Sequence, residues 1–437
     1  MTVDVELPDA PVVVRPARAS GALAAPGSKS VTNRLLVLAA LAEGDSLLRR
    51  PLDSDDARVM RALIECLGAT VIDDAAGWRV RGSAGELHPA AAELHAGLSG
   101  TTMRFGMALA ALADEPVTVT GDAPLLRRPI GPLTQALRQL GAEAADADGL
   151  PPVRLGGGGL RGGEAVVDVT ASSQFASAVL LVAPYARDAD VRLALTGDGA
   201  RSYIDLTVQA MREWGAEVEA IGQGWAVARG RYEGRDVLVE YDASAAAHLF
   251  TVAAASGGAV TVTNCDPFTL QADAGFPRLL AAMGCGTQVE DEGRSLTVTG
   301  PVTLRALGDC DLGDMPDQLP NAAVLAALAD GETVLRNVAV VRGHETDRIA
   351  ALATELAKLR VDVEELPDGL RVAGGVVPPS APVHLHTYDD HRLAMAFAAL
   401  AARLPGVVVE EPWCVRKTYP RFWADLRRLG LDWRVAS

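Results

Sequence analysis

One motif recurs six times along the chain and limits the folds that the sequence can adopt. It is the end of an amphipathic helix, with apolar residues at i, i+3 and i+4 and usually a glycine after the last turn. Glycine at that position is typical of a left-handed helix cap. The six cap positions are Gly68, Gly141, Gly215, Gly284, Arg360 and Gly430. They lie 69 to 76 residues apart, so six repeats of about 70 residues cover the chain, and the arginine cap is expected to differ.

Each repeat also contains an earlier helix that is apolar on nearly every side, together with several β-type runs such as Val117-Thr118-Val119. A helix of that kind is normally buried. The buried helices are predicted at 35–41, 102–112, 175–183, 245–255, 322–329 and 393–402. Because 437 residues are too many for one core, we expect an α/β chain of two domains with three repeats each.

Composition excludes several classes of protein. The net charge of −16 disfavours nucleic acid as a partner. The N-terminus lacks the features of a secretory signal, and no apolar run is long enough for a transmembrane helix. Five widely spaced cysteines without a CxxC pair argue against a disulfide framework or a zinc site. We therefore expect a cytoplasmic protein without membrane partners.

The segments that precede the buried helices are rich in Ser, Thr, Asp and Asn. They lie at 27–30, 98–101, 171–174, 242–244, 317–321 and 388–392. Such residues cap helix N-termini, and capping alone could explain any one segment. If the repeats pack in like orientation, however, six helix N-termini converge, and their free N–H groups and partial positive charge form an anion site. That would let an acidic protein bind anions locally.

The lysine content gives a second indication of function. Only three of the 40 basic residues are lysines, at Lys29, Lys358 and Lys417. A lysine that persists against such an arginine bias suggests a need for a compact ammonium group, whose proton can be shifted. Lys358 lies in a helical run and is interpreted as facing solvent. Lys29 and Lys417 lie in turn-like segments beside other cations, so they are candidates for chemistry.

Seven separated motifs together resemble the 5-enolpyruvylshikimate-3-phosphate synthase family of enolpyruvyl transferases. They occur in order between about residues 20 and 425: Pro26-Gly27-Ser28-Lys29-Ser30 with Asn33-Arg34, Ser99-Gly100-Thr101-Thr102-Met103-Arg104, Arg128-Pro129-Ile130-Gly131, Ser172-Ser173-Gln174-Phe175, Glu345-Thr346-Asp347-Arg348, Asp390-His391-Arg392 and Lys417-Thr418. Any one of them alone would be a weak signal, and it is the ordered set that is specific.

The resemblance implies an inside-out α/β barrel in each of two domains, each with three βαβαββ repeats around buried parallel helices. The upper domain would comprise residues 26–241, and the lower domain residues 1–25 and 242–437. The two would close over substrates in the cleft between them. A monomer without a metal or organic cofactor is expected.

The resemblance also assigns roles residue by residue. The phosphoenolpyruvate site would comprise Lys29, Gly100, Arg128, Gln174, Arg348, Arg392 and Lys417. The shikimate 3-phosphate site would comprise Lys29, Ser30, Arg34, Ser172, Ser173, Gln174, Tyr203, Asp317 and His344. The catalytic residues would be Lys29, Asp317, Glu345 and Lys417. The reaction adds the acceptor's 5-hydroxyl to the enol carbon while C3 is protonated, and then eliminates phosphate, so it needs a base, an acid and cations.

The match is incomplete on the acceptor side. Many family members carry the catalytic aspartate directly after a proline, where this chain has Asn321, whereas other branches place it three residues before the proline, where Asp317 fits. We interpret Asp317 as the catalytic acid. Further departures from the family pattern occur at Leu98, Ala200, Val340 and His344.

Those departures leave alternative functions open. A paralogue acting on another cyclic polyol phosphate, or an inactive anion-binding paralogue, would share most of the motifs. The related transferase acting on UDP-N-acetylglucosamine is disfavoured, since that family usually has a loop cysteine, and none occurs between Cys66 and Cys265. An RNA-end-processing relative is disfavoured by the net charge of −16.

Overall fold

The chain folds into two compact units. The structure is a computed structural model that describes residues 7–199 and 201–436. One unit is formed by Gly27–Val239 and is called here the continuous unit. The other, the discontinuous unit, combines the residues up to Pro26 with those from Glu240 onward. Each unit has its own hydrophobic core.

Buried and amphipathic helices alternate along the chain. The twelve α-helices within residues 7–199 and 201–436 are α1 (Lys29–Leu41), α2 (Asp55–Cys66), α3 (Gly100–Ala110), α4 (Gly131–Gln139), α5 (Gln174–Val182), α6 (Ser202–Glu213), α7 (Ala243–Ser256), α8 (Phe276–Ala282), α9 (Leu319–Leu328), α10 (Arg348–Lys358), α11 (His391–Ala401) and α12 (Phe422–Arg428). The odd-numbered helices are almost wholly buried, and those of one unit contact each other. The predicted pair of helices in each repeat is confirmed.

Four strands accompany each pair of helices. The strands of the described residues are β1 (Val12–Val14), β2 (Ser20–Leu23), β3 (Asp45–Arg49), β4 (Thr70–Asp74), β5 (Gly77–Arg81), β6 (Glu93–His95), β7 (Val117–Thr120), β8 (Ala144–Ala147), β9 (Leu150–Leu155), β10 (Gly163–Asp168), β11 (Val191–Thr196), β12 (Val218–Ile221), β13 (Gly224–Val227), β14 (Asp236–Leu238), β15 (Ala259–Val262), β16 (Gly286–Glu290), β17 (Ser295–Thr299), β18 (Gly308–Asp311), β19 (Glu332–Arg336), β20 (Val363–Leu366), β21 (Gly369–Ala373), β22 (Val383–Leu385), β23 (Val407–Val409) and β24 (Trp433–Val435).

All six sheets of the described residues share one pattern, in which a parallel pair of strands is followed by antiparallel neighbours. In the order β6-β7-β9-β8, for example, Leu94 pairs in parallel with Val119, and β7, β9 and β8 continue antiparallel. The same order appears in β10-β11-β13-β12 and β18-β19-β21-β20. The predicted α/β class with three repeats in each unit is therefore confirmed.

Three sheets are completed by strands that are distant in sequence. The sheet β14-β3-β5-β4 of the continuous unit takes its edge strand β14 from the end of that unit. In the discontinuous unit, β2 pairs in parallel with β15, and β1 lies between β23 and β24. The first described strands are thus bound to partners near the middle and the end of the chain.

The helix caps follow the sequence pattern, with one correction. The five cap glycines have φ between 81° and 106°, in the left-handed region that glycine tolerates. Arg360 was expected to form a different cap, but it has φ of 61° and adopts the same left-handed conformation. The prediction of a different cap was wrong, because the fold imposes the turn even on a residue with a Cβ, for which it is strained.

No helix in the described part of the chain combines the length and apolar character that a bilayer span requires.

Candidate active site

The starts of the buried helices were predicted to carry the chemistry, and capping explains part of their composition. Ser28 and Ser99 accept hydrogen bonds from the backbone N–H groups of Val31 and Thr102, at 3.4 and 3.2 Å. Asp242 and Asp390 cap α7 and α11 in the same way. Ser173 and Gln318, the residues directly before α5 and α9, form no such side-chain cap, although Ser172 bonds to the first N–H of α5. Capping alone therefore does not account for the segment at Asp317.

Side chains in the first turns of the buried helices contact each other within each unit. In the continuous unit, Arg104 of α3 donates to Gln174, the first residue of α5, at 2.8 Å. In the discontinuous unit, Arg392 of α11 donates to Asp317, just before α9, at 2.8 Å. These contacts show that the N-terminal ends of neighbouring buried helices lie together in each unit, so their partial positive charges add.

Arg34 is the central cation of the continuous unit. Its guanidinium donates to the Thr207 hydroxyl at 2.7 Å, to the Ser30 carbonyl at 2.8 Å and to the Tyr203 carbonyl at 3.0 Å. It also lies over the rings of Phe105 and Tyr203, with centroids at 5.5 and 5.9 Å. Burial lowers the pKa of Arg34 to about 10. Three predicted acceptor-site residues, Ser30, Arg34 and Tyr203, are thus brought together.

The other predicted residues of the continuous unit also lie at helix starts. Lys29 opens α1, and its ammonium is 3.5 Å from the carboxylate of Asp56, which the sequence did not single out. A Cβ on Gly100 would lie 3.2 Å from Nη1 of Arg128, so this guanidinium lies against the start of α3. Ser172 and Ser173 directly precede α5, and Ser172 accepts a hydrogen bond from the N–H of Gln174 at 3.2 Å.

Arg348 is the central cation of the discontinuous unit, and it binds three carboxylates at once. Its side chain is 1% exposed, and it lies 2.7 Å from Asp317, 2.9 Å from Glu345 and 2.7 Å from Asp390. His344 Nδ1 is 3.1 Å from the same guanidinium. Burial lowers the pKa of Arg348, but the three carboxylates outweigh burial and raise it above the ordinary value.

Two further cations complete this group. Arg392 pairs with Asp317 at 2.8 Å, and Lys417 pairs with Glu345 at 2.6 Å. The set is called here the charged cluster, and it comprises Asp317, Glu345, Arg348, Asp390, Arg392 and Lys417. Three positive and three negative charges are therefore held in contact. Burial raises the pKa of Asp317, but Arg392, His344 and Arg348 outweigh that effect and hold the pKa well below its usual range.

The two candidates for the catalytic acid lie in different surroundings. Asp317 is part of the charged cluster, with 24% of its side chain exposed. Asn321 is fully buried and bonds to His248 and Gln318 at 2.8 Å each. Asp317 therefore has both access and charged partners, whereas Asn321 has neither.

The departures from the family pattern are also located. His344 lies 3.5 Å from the carboxylate of Asp317. Val340 is partly buried against the core, and Leu98 is 45% exposed. Ala200 lies outside the described residues.

Sequence reasoning missed the role of one member of the charged cluster. Asp390 was quoted within a motif but was given no role, and its carboxylate contacts Arg348. The Asp-Asp-His-Arg run at this helix start could have suggested the ion pair. Lys358 was interpreted as facing solvent, and the structure confirms that it is exposed. Its ammonium also lies 2.6 Å from the buried carboxylate of Glu355, at the i, i+3 spacing that brings two side chains together on one helix face.

Several known proteins are similar to this chain over nearly its whole length. The family model described as EPSP synthase (3-phosphoshikimate 1-carboxyvinyltransferase) matches residues 13–426. The protein named 3-phosphoshikimate 1-carboxyvinyltransferase from Methanoculleus marisnigri is 39% identical over 420 residues, which are 94% of this chain and 97% of the relative. The protein of the same name from Kocuria rhizophila is 40% identical over 432 residues, with 93% and 94% covered.

Solved structures give the same result. A structure of EPSP synthase from Acinetobacter baumannii superposes with a TM-score of 0.82 at 26% identity, covering 98% of this chain and 100% of that one. Together with the family match over residues 13–426, this shows that the chain belongs to the EPSP synthase family.

Proposed function

We propose that this protein transfers the enolpyruvyl group of phosphoenolpyruvate to the 5-hydroxyl of shikimate 3-phosphate and releases phosphate. The observation that carries the proposal is the charged cluster, in which Arg348, Arg392 and Lys417 are held against Asp317 and Glu345. Three cations suit a substrate that carries a phosphate and a carboxylate. The two partly exposed carboxylates supply the proton-transfer groups.

The cluster suggests how binding could activate Asp317. In the free protein the charges of Arg392 and Arg348 hold the pKa of Asp317 low, so the carboxylate is a weak base. An anionic substrate that binds the two guanidinium groups weakens their contact with Asp317. Its basicity then rises in the complex, where it can take the proton of the acceptor hydroxyl.

Glu345 and Lys417 are proposed to handle the second proton. Their side chains lie 2.6 Å apart, within reach for proton exchange. Protonation of C3 gives the enol carbon carbocation character as the hydroxyl attacks. In the elimination that follows, the tetrahedral adduct expels phosphate, whose charge the nearby cations stabilise, and C3 gives a proton back to this pair, so that the enol double bond forms again. We propose that Lys29, Arg128, Gln174 and Gly100 of the continuous unit bind phosphoenolpyruvate, and that Ser30, Arg34, Ser172, Ser173 and Tyr203 bind shikimate 3-phosphate.

We also propose that the protein acts as a monomer in the cytoplasm. All five cysteines are free thiols, which suits a reducing compartment. Sedimentation at micromolar concentration would test the monomer, since a stable dimer would sediment at twice the mass.

The test of the function is phosphate release from phosphoenolpyruvate. The purified protein is assayed with shikimate 3-phosphate and, separately, with a panel of other cyclitol phosphates, and Glu345→Gln serves as a folded control with a weakened proton relay. We expect release with shikimate 3-phosphate that falls sharply in the variant. Release only with another cyclitol phosphate would assign the chain to a paralogous reaction, and no release with any acceptor would contradict the proposal.

A further inference from the structure

Near the charged cluster, four buried polar side chains and the partly buried Ser244 form an unbroken series of hydrogen bonds. His248 Nδ1 lies 2.8 Å from Asn321 Oδ1, and Asn321 Nδ2 donates to Gln318 Oε1 at 2.8 Å. Gln318 Nε2 donates to Asp273 Oδ2 at 2.8 Å, and the Ser244 hydroxyl donates to the same oxygen. These residues are called here the Asp273 chain. It joins α7, α9 and the segment before α8.

The donors of this chain all point the same way. Since the amide nitrogen of Asn321 donates to Gln318, its oxygen must accept from His248, which therefore carries its proton on Nδ1. Burial, together with the charge of Arg392, lowers the pKa of His248 to about 3, so the ring is neutral. Every link thus donates towards Asp273, whose ionised carboxylate can only accept. The Asp273 chain therefore requires, at the position of residue 273, a side chain that only accepts hydrogen bonds.

Gln318 connects this chain to the reaction site. It is fully buried, and it ends the short 3-10 turn Pro316–Gln318 that carries Asp317. Both ends of its amide are held, one by Asn321 and the other by Asp273. The Asp317 carboxylate itself is held by Arg348 and Arg392, the groups that the proposed function assigns to the substrate. Once substrate binds them, the turn depends on Gln318 for its position.

We propose that Asp273 is a positioning residue: as the terminal acceptor of the chain it fixes Gln318, and through Gln318 it holds Asp317 in place during the reaction. The inference rests on the proposed function, since it assigns Asp273 a part in the same chemistry. Asp273 is 2% exposed and bonds to Ser244 and Gln318 rather than to any group assigned to a substrate. Its loss is therefore expected to lower kcat and to leave KM nearly unchanged.

The direction of the chain gives a sharp test, because it can be reversed. Asn321→Asp introduces a carboxylate that cannot donate to Gln318. The Gln318 amide must then turn over, and its oxygen faces the Asp273 carboxylate, so two acceptors oppose each other. Asp273→Asn introduces an amide that can donate to that oxygen. The double variant Asp273→Asn with Asn321→Asp therefore restores the hydrogen bonds on both sides of Gln318 with their donors reversed. His248 still donates to residue 321, and the Ser244 hydroxyl turns to accept from the new amide.

The experiment measures kcat and KM for the wild type, the two single variants, the double variant and Asp273→Ala. Asn321→Asp and Asp273→Ala are each expected to lower kcat about tenfold, as for a displaced catalytic group. The double variant is expected to return to within about threefold of the wild type, which is a strong departure from additivity. Losses that simply add in the double variant would overturn the proposal, and so would a rise in KM at unchanged kcat.

Two controls distinguish a positioning role for Asp273 from a purely structural one and from failure of the proposed function. Unfolding free energies of the same proteins are measured, and a fall in kcat that merely follows the fraction unfolded would assign Asp273 a structural role and contradict the proposal. The wild type is assayed first, and no phosphate release there contradicts the proposed function alone. In that case the unfolding free energies test the direction of the hydrogen bonds in the Asp273 chain. Recovery of the wild-type value in the double variant would support the assigned direction, and losses that add in the double variant would contradict it.

Discussion

Arg34 in the continuous unit and Arg348 in the discontinuous unit are both buried at the starts of buried helices, but their partners differ. Arg348 contacts three carboxylates. Arg34 contacts hydroxyls, carbonyls and aromatic rings, and no carboxylate of the described residues forms an ion pair with it. One cation is neutralised within the protein, whereas the other retains its charge and has a pKa lowered by burial to about 10.

The difference indicates how each unit meets an anion. In the charged cluster an incoming phosphate or carboxylate must compete with carboxylates already in place, so binding changes the pKa of those groups. Near Arg34 an anion meets an uncompensated charge, so binding relieves an existing cost of burial. We therefore expect the discontinuous unit to couple binding to proton transfer, and the continuous unit chiefly to attract and orient.

The largest expected effect comes from removing the charge of each arginine. Arg348→Met leaves three carboxylates without their shared cation and is expected to lower the free energy of unfolding by about 3–5 kcal/mol. Arg34→Met leaves only neutral groups unsatisfied and is expected to cost about 1–3 kcal/mol. Chemical denaturation measures both. Equal losses of unfolding free energy in the two variants would contradict the difference drawn here between Arg34 and Arg348.

Arg371 provides the control for that pair. It also binds three carboxylates, Glu332, Glu364 and Asp362, but these lie on an exposed sheet face. Exposed ion pairs contribute little, so Arg371→Met should leave the midpoint of unfolding almost unchanged. A large shift would mean that the number of carboxylates, and not their burial, determines the effect.

The two lysines test whether both units need a compact ammonium group. Lys417 lies 2.6 Å from Glu345, and Lys29 lies 3.5 Å from Asp56. Lys29→Arg and Lys417→Arg keep the charge but replace the ammonium by a wider fork, and each is expected to cost at least ~3 kcal/mol of transition-state stabilisation. Steady-state kcat/KM measures this loss. Lys358→Arg is the matched control and should leave activity unchanged.

A smaller effect is expected when a carboxylate of the cluster is removed. Asp317→Ala should lower kcat by about 10², the scale of a lost general base. Asn321→Ala, which affects only the Asp273 chain, should lower kcat far less. Steady-state phosphate release compares the two variants. If Asn321→Ala proved the more damaging, the assignment of the catalytic acid to Asp317 would be incorrect.

The smallest effect concerns the pH dependence of stability. Burial raises the pKa of Asp273 to about 6, with Arg392 opposing and Asp317 reinforcing the shift. Between its ordinary value of 3.8 and about 6, the folded protein then binds this proton more tightly than the unfolded chain, so this contribution to stability is lost as pH rises. In the Asp273→Asn variant this side chain no longer titrates.

Melting temperatures of the wild type and Asp273→Asn from pH 4 to 7 test this sign. The melting temperature of the variant should rise relative to that of the wild type as pH increases through that window. A constant difference would show that the pKa of Asp273 is not raised. Asp317 should behave oppositely, because its pKa is lowered in the folded protein. Its contribution to stability is present at pH values above the ordinary aspartate pKa and is lost as pH falls.

Much of the fold could be predicted because it is repeated locally. The six amphipathic helices and their caps follow from spacings of three, four and about 70 residues, all visible in the sequence. The strands that complete the sheets could not be predicted in this way. Nothing local distinguishes β1 from an ordinary edge strand, yet it lies between β23 and β24. Arg360 likewise shows that the fold can impose a cap that the residue disfavours.

The residues of the candidate site could be predicted only where they belong to sequence motifs of a known family. Asp317, Glu345, Arg348, Arg392 and Lys417 were identified from separated motifs, and the structure brings these five together. The Asp273 chain was not identified, because an Asp or a His in an apolar segment carries no sign of its hydrogen-bond direction. That property depends on the pairing of side chains from different helices, which appears only in three dimensions.

The way the chain enters and leaves the continuous unit has a consequence for synthesis on the ribosome. The backbone N–H of Asp242 donates to the carbonyl of Pro26 at 2.8 Å, so the two crossings lie side by side. The whole continuous unit emerges before the partners of β1 and β2 are made. It can therefore fold before the first strands have partners. The nascent chain carries β2 unpaired until β15 is made, and the apolar β1 unpaired until β23 and β24 are made near the end of translation.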